Sequence, residues 1–265
     1  MHQAILGLGL LQLWEDNKVP KFRSLALKTG VDLLKSGVQT RKGALAFPTS
    51  VQVLGYKLPS YWNSALTQSL VSNLFLRLSA FSSDSWLKHA GLTMDLLAEL
   101  PELRTISNSR GNWFEEYPSR PPLHVLNGHM YTLICLFELW KSESDPSVFS
   151  LFTEGAQALI DRLPLFDCGG LSYYDGVRRI LAKPYYQRLH VTLLRVLHAY
   201  TGEARFSEFS TLWNNGFRQR WGFDAWASYA TRTIKQGIRY EGWKYPPRAM
   251  SYALGDIGIS IEHRL

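Results

Sequence analysis

Cysteine is scarce in this chain: its 265 residues include only Cys135 and Cys168, which lie far apart. Neither belongs to a Cys-x-x-Cys pair or to another spacing that binds zinc. We therefore expect two structural thiols and no zinc site built on cysteine.

A membrane-spanning segment and a signal peptide are also missing. Residues 4–14 are apolar, yet they lack a basic region and a small-residue cleavage site, and they are too short to cross a bilayer. We expect this stretch to form a core helix. On this interpretation the protein is cytoplasmic and does not insert into membranes, with a secretory-pathway lumen as the alternative if a targeting segment is missing from the chain.

The chain also has fewer acidic than basic residues. The chain has 29 Lys and Arg against 22 Asp and Glu, a formal net charge of +7, so its surface should attract polyanions. Because no zinc finger or RNA-recognition motif is present and the basic residues are scattered, nucleic acid is not the expected partner. The expected partner is an acidic polysaccharide. The alternative is a basic surface that binds no partner. A homodimer is a further expectation.

What the chain does contain is a repeat of apolar stretches of helical length. They begin near residues 1, 63, 125 and 187, a spacing of 62, and a more amphipathic segment follows each. Apolar inner helices that alternate with amphipathic outer ones are typical of a ring of helical hairpins. The predicted pairs are 2–14 with 21–36, 63–80 with 86–97, 125–141 with 147–163, and 186–200 with 206–221.

The segments that join these pairs are rich in Gly, Pro and aromatic residues and carry short strand-like runs, at 43–62, 103–123 and 168–185. The sequence therefore predicts an all-α fold, an incomplete α/α toroid of about four hairpins, with short β-hairpin connections lining a cleft. A helical solenoid or an irregular all-helical domain would show the same alternation. We expect one catalytic domain over 1–265, with 222–265 packed on it as an extension that includes a helix at 225–237.

Two carboxylates and a phenol stand just before the third inner helix. The order is Trp-Phe-Glu-Glu-Tyr-Pro over 113–118, a proline-rich loop, and then Val-Leu-Asn-Gly over 125–128. A helix that starts near Val125 places Asn127 in its first turn, where unpaired N–H groups and a partial positive charge favour an anion.

This order of residues resembles the C-terminal domain of the D-glucuronyl C5-epimerases, which convert glucuronate to iduronate within a polysaccharide. The resemblance extends over about 62–215, because Trp-Asn-Ser-Ala-Leu-Thr-Gln at 62–68 is similar to a further family segment. It implies a heparosan or heparan sulfate type epimerase that acts on an acidic polysaccharide without a cofactor. The implied catalytic residues are Tyr117, Tyr174, Tyr186 and Glu116, and the implied substrate-binding residues are Asn127, Arg178, Arg179, His190, Trp62 and Gln68.

The chain departs from the family pattern at two positions. Asn63 replaces a tyrosine, and two residues rather than one separate Asp175 from Arg178. The arginine that should neutralise the substrate carboxylate is therefore either Arg178 or Arg179.

C5 epimerisation requires a proton acceptor on one face of the sugar and a donor on the other. A tyrosine, with an ordinary pKa of about 10, acts as a base at neutral pH only beside a cation. The sequence provides such neighbours, because Arg178 follows Tyr174 closely, and Lys183 and Arg188 flank Tyr186.

Other interpretations stay open at this point. A polysaccharide lyase begins with the same deprotonation, an inverting glycoside hydrolase could oppose Glu115 or Glu116 to Asp175, and a binding protein could keep the fold without the chemistry. Single residues also have structural explanations: Asp175 as a turn cap, Glu115 as a solvated neighbour, and His129 or His190 as a satisfied core histidine. The aromatic residues could likewise serve packing alone.

Overall fold

The fold is taken from a computed structural model, which describes residues 1–53, 56, 58–82, 85–107 and 111–220. This part of the chain contains eight α-helices. The predicted extension at 222–265, with its helix at 225–237, lies outside the described residues. The helices are α1 His2–Asn17, α2 Pro20–Ser36, α3 Ala65–Ser79, α4 Ser85–Glu99, α5 Leu126–Glu143, α6 Pro146–Phe166, α7 Pro184–Thr201 and α8 Ala204–Arg220.

All eight predicted helices are present, and their ends differ from the predicted ones by a few residues. Pro20, Pro146 and Pro184 begin α2, α6 and α7, since a proline at the first helical position lacks only an N–H that the helix would leave unpaired. Consecutive helices pack as pairs, α1 with α2, α3 with α4, and α7 with α8. Helix α6 contacts α5 through the rings of Phe137 and Phe152, whose centroids lie 5.2 Å apart.

The connections between pairs contain the short β-structure that the sequence predicts. Strand β1 (Val38–Gln39) pairs antiparallel with β2 (Leu45–Ala46). Strand β3 (Arg104–Ser107) pairs antiparallel with β4 (Gly111–Phe114). The connection before α7 has isolated bridges instead, between Asp167 and Ser172 and between Tyr173 and Leu181.

The chain divides into two compact units, Met1–Asp161 and Arg162–Leu265. In the first unit, α3 and α5 are buried along most of their length. The hydroxyl of Ser69 in α3 lies 2.9 Å from that of Thr132 in α5, so the two helices also share a buried hydrogen bond. The expectation of a single domain over the whole chain stays a prediction.

Helix α1 is not the core helix that its composition predicts. It buries only Ala4, Gly7 and Leu11, whereas Leu6 is 58% exposed. The buried positions form one narrow stripe, where the missing side chain of Gly7 lets α1 approach α3: a Cβ there would lie 2.7 Å from Cδ2 of Leu74. A helix that meets its neighbours along one stripe leaves its other apolar residues exposed, and hydropathy alone cannot reveal this.

In the second unit, the connection before α7 is hydrogen-bonded to α8. Asp167 accepts hydrogen bonds from the backbone N–H groups of Gly169 and Gly170 and from Nε1 of the fully buried Trp213, at 2.9 Å. Gly170 has a φ of 91°, a conformation that glycine adopts without steric cost. In the part of the chain that the structure describes, no helix is long and apolar enough to cross a lipid bilayer.

Candidate active site

Glu115, the first carboxylate of the Glu-Glu-Tyr-Pro segment, is a structural residue. It is 2% exposed, and its Oε1 accepts from the Thr105 hydroxyl at 2.7 Å and lies 2.6 Å from His124 Nδ1. Its Oε2 accepts from the His124 N–H at 3.0 Å, and its backbone carbonyl accepts from the Ala65 N–H that begins α3. The interpretation of Glu115 as a solvated neighbour is therefore wrong.

Glu116 lies against the start of α5. Its Oε2 is 3.4 Å from Nδ2 of Asn127, and both side chains are buried. Gly128 makes this approach possible, because a Cβ there would lie 2.8 Å from Oε2 and 2.9 Å from Cβ of Glu116. Oδ1 of Asn127 is buried and has no hydrogen-bond partner in the described part of the chain, so its capacity to accept is unused there.

Tyr117 lies in an aromatic cluster. Its ring centroid is 4.6 Å from that of Tyr56 and 5.7 Å from that of Trp62. The indole N–H of Trp62 donates to the carbonyl of Val51 at 3.1 Å, which fixes the ring in place. The structure thus brings Trp62 and Tyr117 together, as two largely buried aromatic surfaces.

Two further polar residues of this unit have their hydrogen bonds satisfied by the protein. Both amide atoms of Gln68 bond to the backbone of Phe47, at 3.2 and 3.3 Å, so Gln68 holds the segment after β2 against α3. His129 accepts from the Phe114 N–H at Nδ1 and bonds the Gly155 carbonyl through Nε2, each at 3.0 Å. The interpretation of His129 as a satisfied core histidine is confirmed.

The second unit brings Tyr174 and Tyr186 into contact. Their ring centroids are 4.8 Å apart in an edge-to-face arrangement, and both side chains are half-buried. Tyr174 precedes a tight loop that closes when its N–H donates to the Ile180 carbonyl at 2.6 Å. Tyr186 lies in the first turn of α7, so the loop and the helix start hold the two phenols together.

Asp175 caps the loop and keeps one oxygen unused. Its Oδ1 accepts from the backbone N–H groups of Val177 and Arg178, which confirms the turn-cap interpretation. Its Oδ2 is buried and has no hydrogen-bond partner among the residues that the structure describes. Burial raises the pKa of Asp175, while the Arg178 N–H and the Arg178 charge act in the opposite direction.

The two candidate arginines are placed differently. Arg178 is half-buried and close enough to Asp175 for its charge to act on that carboxyl. Arg179 is exposed and has a φ of 53°, in the left-handed region that non-glycine residues seldom adopt. Of the two, Arg178 is the better candidate for neutralising a carboxylate beside Tyr174.

His190 lies one turn after Tyr186 on α7 and is fully buried. Its Nδ1 is 2.7 Å from the Ser172 hydroxyl, whereas its Nε2 has no hydrogen-bond partner in the described residues. Burial lowers the pKa of His190 to about 3, so the ring is neutral at physiological pH. The ring therefore keeps one buried nitrogen whose hydrogen-bonding capacity is unused among the described residues.

Ser172 and Gln187 fix the position of His190, and sequence analysis did not identify either of them. Nε2 of Gln187 donates to the carbonyls of Ser172 and Ala182, at 2.9 and 3.2 Å, which orients the amide. Oε1 therefore accepts from the Ser172 N–H and hydroxyl, each at 3.0 Å. Neither residue belongs to a recognisable motif, so only the folded arrangement reveals their role.

The predicted site residues thus form one cluster in each unit. Within the described ranges, no three His, Cys, Asp or Glu side chains group as a metal site requires. Burial raises the pKa of Cys135 to about 12, so this thiol is unreactive. The first cluster contains Trp62, Glu116, Tyr117 and Asn127, and the second contains Tyr174, Arg178, Tyr186 and His190.

Solved structures define the class of fold. A D-mannose isomerase has a TM-score of 0.58 at 12% identity, over 96% of this chain and 75% of that one. A GH76 α-mannanase from Bacteroides thetaiotaomicron has a TM-score of 0.59 at 10% identity, over 96% and 71%. These likenesses show the fold alone: it is all-α and of the α/α-toroid type, as predicted.

Sequence comparisons define the family within that class. The family model for the D-glucuronyl C5-epimerase C-terminus matches residues 40–215. The chain belongs to this family, which confirms the resemblance seen in the sequence.

Two relatives are longer than the part of them that this chain matches. The D-glucuronyl C5-epimerase of Caenorhabditis elegans is 28% identical over an alignment of 205 residues, which covers 66% of this chain and 32% of that protein. An uncharacterized protein of Methanocaldococcus jannaschii is 27% identical over 165 residues, 60% of this chain and 53% of that one. The chain therefore spans about half or less of these relatives.

Proposed function

We propose that the protein is a polysaccharide uronyl C5-epimerase that converts D-glucuronate to L-iduronate in a heparosan-like polymer. The observation that carries the proposal is the edge-to-face contact of Tyr174 with Tyr186, at 4.8 Å, because these are two of the three tyrosines at the family's motif positions. Family membership and the net charge of +7 support an acidic polysaccharide as the substrate.

The reaction removes the proton at C5, beside the uronate carboxylate. The C–H electron pair delocalises into that carboxylate, and a proton then returns to C5 from the opposite face. The candidate groups for proton transfer are Tyr117, Tyr174 and Tyr186. A positive charge close to a phenol lowers its pKa towards neutrality, and Arg178 is the cation expected to do so for Tyr174.

The developing charge on the carboxylate needs a preorganised partner. The candidates for this role are Arg178 in the second unit and, as the alternative, the Asn127 end of α5 in the first, where the first helical turn leaves N–H groups without intrahelical partners. Glu116 is assigned to orient the sugar or to tune Tyr117, which follows it directly in the chain.

His190 and Asp175 supply the remaining polar groups of the second cluster. Because His190 is neutral and its Nε2 is unpartnered among the described residues, we assign it a hydrogen bond to a sugar hydroxyl rather than to a carboxylate. Oδ2 of Asp175 is buried without a partner among the described residues, so we assign it a hydrogen bond accepted from a second sugar hydroxyl.

The test is NMR of heparosan incubated with the protein in deuterated water. Deuterium at C5, new iduronate signals and an unchanged chain length would establish epimerisation. Unsaturated chain ends would instead show a lyase, since elimination follows the same deprotonation but expels the C4 oxygen. Binding without C5 exchange on several uronate polymers would show a non-catalytic binding protein.

A further inference from the structure

A cleft of about 310 Å³ lies beside the Glu-Glu-Tyr-Pro segment in the first unit, between the β3–β4 hairpin and the loop after Tyr117. This volume is at the lower end of the range for ligand pockets, about 300–1,000 Å³. Its polar lining residues are Glu102, Arg104, Thr105, Glu115, Ser119 and Arg120.

Arg104 has a buried donor in this cleft. Its Nε is buried and makes no hydrogen bond in the described part of the chain. A buried donor without an acceptor is unfavourable, and an arginine binds planar anions through paired N–H groups. The side chain therefore presents a binding group that an anionic ligand would satisfy.

The carboxylates in the cleft do not fill this role. Glu115 already bonds Thr105 and His124 through its two oxygens. Glu102 is exposed and, among the described residues, forms no ion pair with Arg104 or Arg120. The acceptor for Arg104 must therefore come from outside this part of the protein.

A second guanidinium and several apolar rings complete the cleft. Arg120 lines it from the loop after Pro118, and Pro101, Pro118 and Pro122 contribute apolar surface. Two cations and three proline rings that line one cleft suit a sugar ring that carries a negatively charged substituent, with the prolines against its C–H groups and the arginines against its anion.

We propose that this cleft is a subsite for an anionic sugar unit, a uronate carboxylate or a sulfate ester, next to the unit that reaches Tyr117. The polysaccharide class rests on the proposed function, whereas the anion preference rests on Arg104 and Arg120. Glu115 and Pro118 line the cleft and flank the Glu116-Tyr117 pair in the chain, so a bound polymer would meet both places along its length.

The experiment compares Arg104→Ala, Arg120→Ala and Arg104→Lys with Arg41→Ala, a control at another exposed arginine of the same unit. Calorimetry would measure the binding of a heparosan tetrasaccharide and of a neutral oligosaccharide of equal length. We expect both alanine variants to lose about 10- to 100-fold in affinity for the acidic ligand only. Arg104→Lys should recover part of that loss, and Arg41→Ala should bind as wild type.

Unchanged affinity for the acidic ligand in Arg104→Ala and Arg120→Ala would overturn the subsite, as would an equal loss for the neutral ligand. Arg120 is exposed, so Arg120→Ala keeps the test valid if Arg104→Ala does not fold. C5 exchange by wild type with normal binding by both variants would refute the subsite alone. Arginine-dependent binding without C5 exchange would refute the epimerase proposal alone.

Discussion

Each unit has a buried histidine and a buried carboxylate near the start of a helix. The two units differ in whether the protein itself supplies all the hydrogen-bond partners of these side chains. In the first, both nitrogens of His129 and both carboxylate oxygens of Glu115 have protein partners. In the second, Nε2 of His190 and Oδ2 of Asp175 are buried without one among the described residues. All four side chains are almost fully buried, so burial does not distinguish them, whereas hydrogen-bond completion does.

The difference indicates separate roles for the two pairs. A buried polar atom without a partner lowers stability, and such atoms are rare enough to require an explanation. A ligand that supplies the missing bond is the explanation we favour for His190 and Asp175. For His129 and Glu115 the bonds are complete, and their role is to hold the hairpin, the loop and the helices together.

The largest effect is expected when one of the phenols proposed to transfer the C5 proton is removed. Tyr174→Phe and Tyr186→Phe should each slow C5 exchange by about 10²- to 10⁴-fold, the usual contribution of a positioned acid or base. Tyr185→Phe is the matched control, because Tyr185 is 63% exposed and adjoins Tyr186. Exchange in deuterated water measures all three, and full activity in Tyr186→Phe would remove that residue from the mechanism.

The free energy of unfolding should depend more on the buried carboxylate of the first unit, Glu115, than on that of the second, Asp175. Glu115→Gln places an amide N–H₂ where an oxygen now accepts hydrogen bonds, and we expect a loss of about 1–3 kcal/mol in the free energy of unfolding. Asp175→Asn should cost less, because Oδ1 keeps its two backbone donors and the other oxygen has no described partner to lose. Urea denaturation compares the two variants, and equal losses would undermine the distinction between the pairs.

The helices were predictable because periodicity and proline positions are local properties. The family motifs likewise point to Tyr117, Tyr174 and Tyr186, whose catalytic role stays a prediction. The exposure of α1 was not predictable, since it depends on which stripe meets α3. Ser172 and Gln187 were missed for a similar reason, because their bonds to His190 form only when the connection before α7 folds back on that helix.

The close approach of Glu116 to α5 can be tested by adding one methyl group. Gly128→Ala should lower the free energy of unfolding by about 1–3 kcal/mol, a typical cost of overpacking, because the new Cβ would meet Glu116. Gly9→Ala is the control, since nothing lies within 4 Å of a Cβ at Gly9 in α1. That change should stabilise the helix by about 0.5–1 kcal/mol. Equal thermal denaturation of the two variants would contradict the proposed contact.

A gradual effect, spread over several pH units, is a pH dependence of stability from His190. The unfolded chain protonates this histidine below about pH 6.5, whereas the folded protein does so only near 3, so the free energy of unfolding falls as the pH drops through this window. The contribution is at most about 1.4 kcal/mol per pH unit. Asp175, with a raised pKa, acts in the opposite sense, since its contribution is lost as the pH rises.

His190→Asn should flatten this slope, whereas the same change at the exposed His2 should not. Urea titrations at several pH values between 3 and 6.5 measure both variants. A slope that His190→Asn leaves unchanged would mean that other groups cause the acid sensitivity.

The most direct test of the account applies one substitution to both histidines. The amide of asparagine keeps a polar atom at the Nδ1 position and removes the one at Nε2. His190→Asn should slow C5 exchange by about tenfold or more and retain a melting temperature near that of wild type. His129→Asn should lower the melting temperature while the folded protein still exchanges C5 at close to the wild-type rate. If exchange instead followed the melting temperature in both variants, hydrogen-bond completion would not separate substrate-binding from structural histidines in this protein.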